Sequence, residues 1–259
     1  MENKGKAFKQ YAPFYDLIYQ YKDYAAEASF VSSLIKEYGP KRKVIKLLDL
    51  ACGTGRHAQE LAVMGYSVEG SDISADMVKV AQDRVKRLGL PVHFYNESFQ
   101  SSHRISRKYD AVIAMFSAID YLTSYKDLKK ALKNIRGLLK EDGVFVFDFW
   151  NGNAVLKDYS PVRIKKVVKS RRGVTRTSKT TLDVIAQIAT VNFDFVLMEG
   201  GNIVHKFSEV HPIRYYFPQE MMDLLEANGF KVVHRCPFMK KDSDIKADEW
   251  NLTYVAQAR

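Results

Sequence analysis

The chain has 259 residues, 46% of them hydrophobic, and a formal charge of +10, which suits one α/β domain with a substantial insertion or two small domains. No run approaches the roughly 18 apolar residues of a membrane span, and the polar start Met1-Glu2-Asn3-Lys4-Gly5-Lys6 lacks a signal-peptide core. The two cysteines, Cys52 and Cys236, lie far apart, which excludes a disulfide framework and a four-ligand cysteine zinc site and makes a reducing cytoplasm the expected setting.

Residues 14–38 keep a helical apolar spacing through Phe30, Val31, Leu34 and Ile35, and Gly39-Pro40 stops them. An apolar strand over 44–50 then meets Asp49 and the turn Ala51-Cys52-Gly53-Thr54-Gly55, and a helix follows to about Met64. Glycines there permit a sharp turn and close backbone approach to a ligand. The next strand ends at Asp72, the distance at which a carboxylate accepts ribose hydroxyls. Ser74 is an N-cap for a helix ending at Leu88-Gly89. A third strand, Val92–Tyr95, leads to Glu97 and Ser98. A fourth, Tyr109–Phe116, reads as buried on both faces. A helix over about 125–140 presents Leu128, Leu132, Ile135 and Leu138 on one stripe, and Asp142-Gly143 turns into a fifth strand, Val144–Phe149.

Five strands alternating with helices mean an open parallel sheet. From about 160 to 216 the pattern changes to short alternating strands punctuated by Arg172-Gly173 and Gly200-Gly201-Asn202. A helix from Pro218 to Gly229 and strands at 230–234 and 250–256 then resume the sheet. The expected division is a cofactor domain of 1–150 and 217–259, with an inserted antiparallel subdomain at 151–216. Between Arg163 and Lys179 stand eight Lys or Arg and no acid. A solvated hairpin is the ordinary reading; phosphate-bearing substrate or nucleic acid are the others. No zinc-finger, RNP or helix-turn-helix signature supports nucleic acid as the partner.

A dinucleotide fingerprint would need a third glycine, and Ala58-Gln59 stand there instead. Asp49 would repel a pyrophosphate but suits a cationic ligand. The turn with its two acids therefore resembles the S-adenosylmethionine site of class I methyltransferases, which implies a Rossmann-like α/β sheet with an antiparallel β excursion between the fifth strand and the closing strands. The resemblance places Ala51, Gly53 and Gly55 along the methionine part, with Asp49 at its ammonium. It places Asp72 on the ribose, Ile73 and Met77 beside adenine, Glu97 and Ser98 near the adenine amine, and Met115 beneath the methyl.

Tyr15-Asp16-Leu17-Ile18-Tyr19, Met115-Phe116-Ser117-Ala118-Ile119-Asp120-Tyr121-Leu122 and Phe207-Ser208-Glu209-Val210-His211 further resemble segments of the amino-sugar N,N-dimethyltransferases. Asp120 replaces a glycine of that family, and Asp148-Phe149-Trp150-Asn151 replaces its acid-Pro-Trp-Trp run. The resemblance implies methyl transfer to a small-molecule amine, as on a nucleotide-linked sugar, and a homodimer. Tyr15 and Tyr24 are expected to close over the cofactor. Tyr19, Ser117, Asp120, Trp150 and His211 are expected to contact the acceptor, with Asp120 and His211 as the proton-accepting candidates because an amine must be neutral to attack. The competing readings are glycine-type N-methylation, an RNA methyltransferase using the basic segment, and a non-catalytic S-adenosylmethionine-binding protein.

Overall fold

The computed structural model describes residues 12–43 and 45–259; the start of the chain through Tyr11, and Val44 at the head of the first expected strand, lie outside the described residues. A seven-stranded sheet has the order β10-β11-β5-β4-β1-β2-β3. Its strands are β1 (Lys46–Leu50), β2 (Ser67–Ser71), β3 (His93–Tyr95), β4 (Tyr109–Ala114), β5 (Leu139–Trp150), β10 (Phe230–Pro237) and β11 (Asn251–Ala258). The first five are parallel, whereas β11 runs antiparallel to both β5 and β10. Alternation along the central strands feeds two cores. Val112 and Ala114 of β4 and Phe145, Phe147 and Phe149 of β5 join one; Ala111, Ile113, Val144 and Val146 join the other.

The helices covering these faces are α1 (Ala12–Ile18), α2 (Tyr24–Tyr38), α3 (Arg56–Val63), α4 (Ala75–Leu88), α5 (Tyr125–Leu138), α6 (Gly152–Lys157) and α7 (Pro218–Glu226). The single helix expected over 14–38 is two, because Asp23 caps a new start by accepting from the Ala26 N–H at 2.9 Å. Ser74 caps α4 through the Met77 N–H, and Gly89 closes it in the left-handed region. The strand expected from Val144 begins at Leu139, directly after α5.

The excursion is a second sheet, ordered β6-β7-β8-β9 and antiparallel throughout. Its strands β6 (Val162–Lys169), β7 (Arg172–Asp183), β8 (Ile188–Glu199) and β9 (Asn202–Arg214) are longer than the short strands expected. Arg172-Gly173 lies inside β7 rather than at a turn, and Ser170, at φ 55°, makes the reversal instead. Asp183 shapes the next reversal by accepting from the Ile185 and Ala186 N–H groups, an Asx turn without glycine. One face of this sheet offers Val174, Phe195, Leu197 and Phe207 to Ile18 of α1 and Met77 of α4, forming a third core. That packing fixes α1 between the sheets, where Asp16 pairs with Arg84 and accepts from Thr54 Oγ1 at 2.8 Å.

Candidate functional site

Ligands of open α/β sheets sit outside the carboxyl ends of the strands, and here one cavity of about 670 Å³ runs from those ends to the inner face of the second sheet. At the end of β1, Ala51, Gly53 and Gly55 all have left-handed φ angles of 58°, 54° and 73°. Gly53 is free of neighbours where a Cβ would stand, so its backbone faces open cavity. Gly55 serves differently from expectation. It does not line the cavity, and a Cβ there would meet Ala81 at 2.8 Å and the Phe94 ring at 3.0 Å, so its bare backbone lets α3 pack against α4 and β3.

Asp72 lines the cavity while its Oδ2 accepts from the Gly53 N–H at 2.9 Å and its Oδ1 from the Ser74 N–H at 2.8 Å. It therefore braces the glycine turn, and a carboxylate retains further lone pairs for a ligand. Burial raises its pKa, with those two N–H groups opposing the rise. Asp49 stands behind the turn rather than on the cavity wall, 1% exposed, and its Oδ2 has no hydrogen-bond partner. Burial, and then the Asp72 charge, push its carboxyl up to about 8. An unpaired buried carboxylate oxygen is costly alone and is relieved by a nearby cation.

Around this turn, Tyr15, Tyr24, Ile73, Met77, Glu97, Ser98 and Met115 all line the cavity. Ile73 is exposed, whereas Met77 and Met115 are buried. Arg56, not singled out in the sequence, also lines it; its guanidinium lies 5.0 Å from the Tyr24 ring centroid and its buried Nε has no partner. Beside it His57 bonds Glu27 at 2.8 Å through Nε2. Burial lowers the His57 pKa; burial alone would raise Glu27, but the His57 hydrogen bond and Lys22 outweigh it and bring it down. The pair is thus a neutral imidazole donating to a carboxylate. Open space at Gly53 and the two unpaired atoms on Asp49 and Arg56 suit a zwitterionic, cationic ligand, as the amino-acid end of S-adenosylmethionine is.

At the end of β4 the chain takes two successive left-handed residues, Phe116 (φ 65°) and Ser117 (φ 56°), strain of the kind that collects at functional sites. Asp148 of β5 holds the distortion by accepting from the Ser117 N–H at 3.1 and 3.0 Å. Burial pushes Asp148 up to about 6. Ser117, Tyr19, Trp150 and His211 line the cavity beyond this point. Asp120 does not, contrary to the expected carboxylate in the acceptor pocket. It is fully buried, its Oδ2 accepts from the Trp150 N–H at 2.9 Å, and burial drives its pKa well up. Buried off the cavity and locked to a backbone amide, this carboxyl braces the Met115–Tyr121 segment.

The inner face of the second sheet supplies what sequence reasoning left unassigned. Arg163 and Lys165 of β6 register with Ser178 and Arg176 of β7, and Arg163 and Arg176 line the cavity. Arg163 lies 5.4 Å from the Trp250 ring, which contacts Trp150 at the same centroid separation. Arg176 donates to the Tyr19 hydroxyl at 3.1 Å and covers Phe193. Burial, then the Arg176 charge, lower the Lys165 pKa. Period-2 alternation with the buried Val167 and Val174 carries Arg163, Lys165 and Arg176 inward; the paired Lys169 and Arg172 share that face beyond the cavity lining, and they, Lys166 and Arg171 are exposed. No helix among the described residues is long and apolar enough to cross a membrane.

A family model described as a methyltransferase domain matches residues 47–143. The dTDP-3-amino-3,4,6-trideoxy-alpha-D-glucopyranose N,N-dimethyltransferase of Streptomyces venezuelae is 31% identical over 224 residues, 86% of this chain and 90% of the relative. The crystal structure of Streptomyces venezuelae DesVI superposes with a TM-score of 0.78 at 26% identity over 94% of this chain and 97% of that one. CalS10 of Micromonospora echinaspora, titled an amino pentose methyltransferase and solved with S-adenosylmethionine bound, shares the fold with a TM-score of 0.74 at 21% identity, over 97% of this chain and 98% of that one.

Proposed function

This chain belongs to the class I S-adenosylmethionine-dependent methyltransferases and is most like the amino-sugar N,N-dimethyltransferases, and from that premise we propose that it methylates the amino group of a nucleotide-linked sugar. The observation that carries the substrate class is Arg163 and Arg176 in the same cavity as the glycine turn. Two guanidiniums at the end away from that turn suit a diphosphate, and Trp150 and Trp250 beside them suit stacking of a base or sugar. This reading accounts for the cavity-lining part of the basic segment without nucleic acid.

S-Adenosylmethionine supplies an electrophilic methyl on its sulfonium. The protein's own part is placement. Asp72 would hold the ribose, Ile73, Met77, Glu97 and Ser98 would enclose the adenine, and the Ala51–Gly53 backbone with Arg56 would receive the amino-acid end, with Asp49 behind the turn as counter-charge to its ammonium. Tyr15, Tyr24 and Met115, which also line the cavity, would enclose that half. Tyr19, Ser117, Trp150 and His211 position the acceptor, and orientation of this kind supplies about 7–11 kcal/mol of the barrier reduction. Residues 151–216 act as the acceptor subdomain. A homodimer formed on the second sheet would cover the exposed Val162, Ile164 and Val168 of β6, and the free thiols of Cys52 and Cys236 suit a cytoplasmic setting.

The test is calorimetric titration with S-adenosylhomocysteine, followed by thymidine diphosphate on the loaded protein, and then mass-resolved methylation of nucleotide-linked amino sugars against free small amines. Tight binding of both ligands and a mass gain on the nucleotide-linked acceptor alone are expected. Methylation of free amines with no affinity for the diphosphate would overturn the acceptor class.

A further inference from the structure

The connection between β10 and β11, residues 238–250, contains no helix or strand, and ordered stretches of that length in a packed domain usually carry function. One buried side chain ties its end. Asn151, fully buried just past β5, donates through Nδ2 to the Ala247 carbonyl at 3.3 Å and the Glu249 carbonyl at 3.0 Å. Its Oδ1 accepts from the Asn153 N–H at 3.2 Å, and its own N–H donates to the Trp250 carbonyl at 2.8 Å. The side chain thus uses two donors and an acceptor together, a set that an amide provides and a carboxyl or hydroxyl does not. Two ion pairs on the same stretch, Lys157–Asp248 at 3.8 Å and Lys240–Glu249 at 2.9 Å, each include an exposed side chain, so they hold it weakly.

What this tie positions is Trp250. Its ring meets the Trp150 ring at 5.4 Å and an interplanar angle of 68°, and the Arg163 guanidinium lies 5.4 Å from its centroid. Trp150, Trp250 and Arg163 all line the cavity, whereas Asn151 stands behind them. Sheet order sets their distance from the glycine turn. From β1 the neighbours run β4, β5, β11, and Asn251 at the start of β11 pairs with Trp150 at the end of β5. Adjacent strands are about 4.8 Å apart, so Trp250 lies three strands, about 14 Å, from the turn after β1, at the far end of a long acceptor. Resting on the proposed nucleotide-linked acceptor, we infer that the corner formed by Trp150, Trp250 and Arg163 takes the base of the acceptor nucleotide, and that Asn151 is the positioning residue that holds Trp250 in it. Indole rings and a guanidinium are groups on which bases stack. The same guanidinium keeps a positive charge beside the diphosphate that the base carries. Asn151 touches neither cofactor nor acceptor and acts through the 247–250 backbone.

Asn151→Asp keeps the size and the oxygen facing Asn153 but removes both donors. On protein loaded with S-adenosylhomocysteine, this variant and Trp250→Ala should each lower thymidine diphosphate affinity about tenfold or more, the scale of one lost base–aromatic contact. The double variant should lose no more than Trp250→Ala alone, because Asn151 works only through that ring. S-Adenosylhomocysteine affinity should stay within twofold, and in turnover the acceptor KM should rise while kcat at saturation holds. The chain has two tryptophans, both in this corner, so in a Trp150→Phe background the emission is that of Trp250 alone. Adding Asn151→Asp should shift it to longer wavelength. If Asn151→Asp does not fold, Asn151→Ser, which has no donor pair for the two carbonyls, reads the same quantities. Unchanged emission and diphosphate affinity, additive losses in the double variant, or an equal fall in S-adenosylhomocysteine affinity would overturn the positioning role. If the wild type binds no thymidine diphosphate, the acceptor reading fails separately, and the Trp250 emission then decides whether Asn151 holds that ring.

Discussion

The two sheets line the cavity in opposite ways. The parallel sheet presents backbone: β1 ends in a left-handed turn whose open side is Gly53, and its carboxylates brace that turn from Asp72 and stand behind it at Asp49. The antiparallel sheet presents side chains from a regular ladder, with Arg163, Arg176 and His211 facing inward by alternation alone. A backbone site depends on single positions whose φ and free space admit one residue type. A ladder site can be re-lettered without altering the fold.

The sharpest way to break that contrast is Gly53→Val. The residue is at φ 54° and its Cβ would enter the cavity, so affinity for S-adenosylhomocysteine should fall by more than about 100-fold, with strain of about 1–3 kcal/mol on the turn; calorimetry and a melting curve separate the two effects. Retained affinity would mean that the turn does not face the cofactor. In the ladder, Arg163→Ala with Arg176→Ala should leave S-adenosylhomocysteine affinity intact and weaken a nucleotide-sugar acceptor. Each lost charge-assisted contact is worth about 1.5–3 kcal/mol, so the acceptor KM should rise at least tenfold and become less sensitive to salt.

The same contrast governs what could be read in advance. The parallel half was legible because its signals are local: an apolar run, an acid, two glycines, then Asp72 at the next strand end. Ser74 announced its helix by type and position. The single helix assumed over 14–38 failed because apolar periodicity continues across Asp23, whose capping role depends on where the chain reverses. The packing role of Gly55 is hidden for a different reason. Its need for a bare backbone comes from Ala81 and Phe94, which only the folded structure brings near. In the second sheet, register decided everything. Taking Arg172-Gly173 as a turn displaces the alternation, so Arg163 and Arg176 stay hidden in a charge run. Asp120 was read as facing the acceptor, but its destination, the Trp150 amide, lies on another strand.

Asp49 offers a subtler test, through pH. Burial, with the Asp72 charge behind it, pushes the Asp49 carboxyl up to about 8, so at neutral pH it carries a proton that a cationic cofactor would displace. Affinity for S-adenosylmethionine should therefore rise as pH increases toward about 8 and level off above it, with proton release visible as a buffer-dependent binding enthalpy. The rise is bounded by tenfold per pH unit for one proton. Asp49→Asn should bind more weakly and flatten the curve. An unchanged pH dependence in that variant would assign the linkage to another group.

The smallest effect is expected where charge is densest. Lys166, Lys169, Arg171 and Arg172 are exposed and none lines the cavity, and exposed charges of this kind change stability by no more than about 0.5 kcal/mol each. Replacing all four with glutamine should leave kcat, acceptor KM and S-adenosylhomocysteine affinity within about twofold, while the melting temperature stays within a few degrees. These four are half of the eight cations that first suggested a nucleic-acid partner. Such a partner would use them, since each phosphate contact adds about one unit to the salt slope of binding. If the quadruple variant lost activity on a nucleotide sugar, these four would have to reach the acceptor, and the division of the basic segment into a cavity-lining part and a solvated part would be wrong. If it lost only RNA affinity present in the wild type, the solvated cations would serve a partner that the cavity-lining ones never meet.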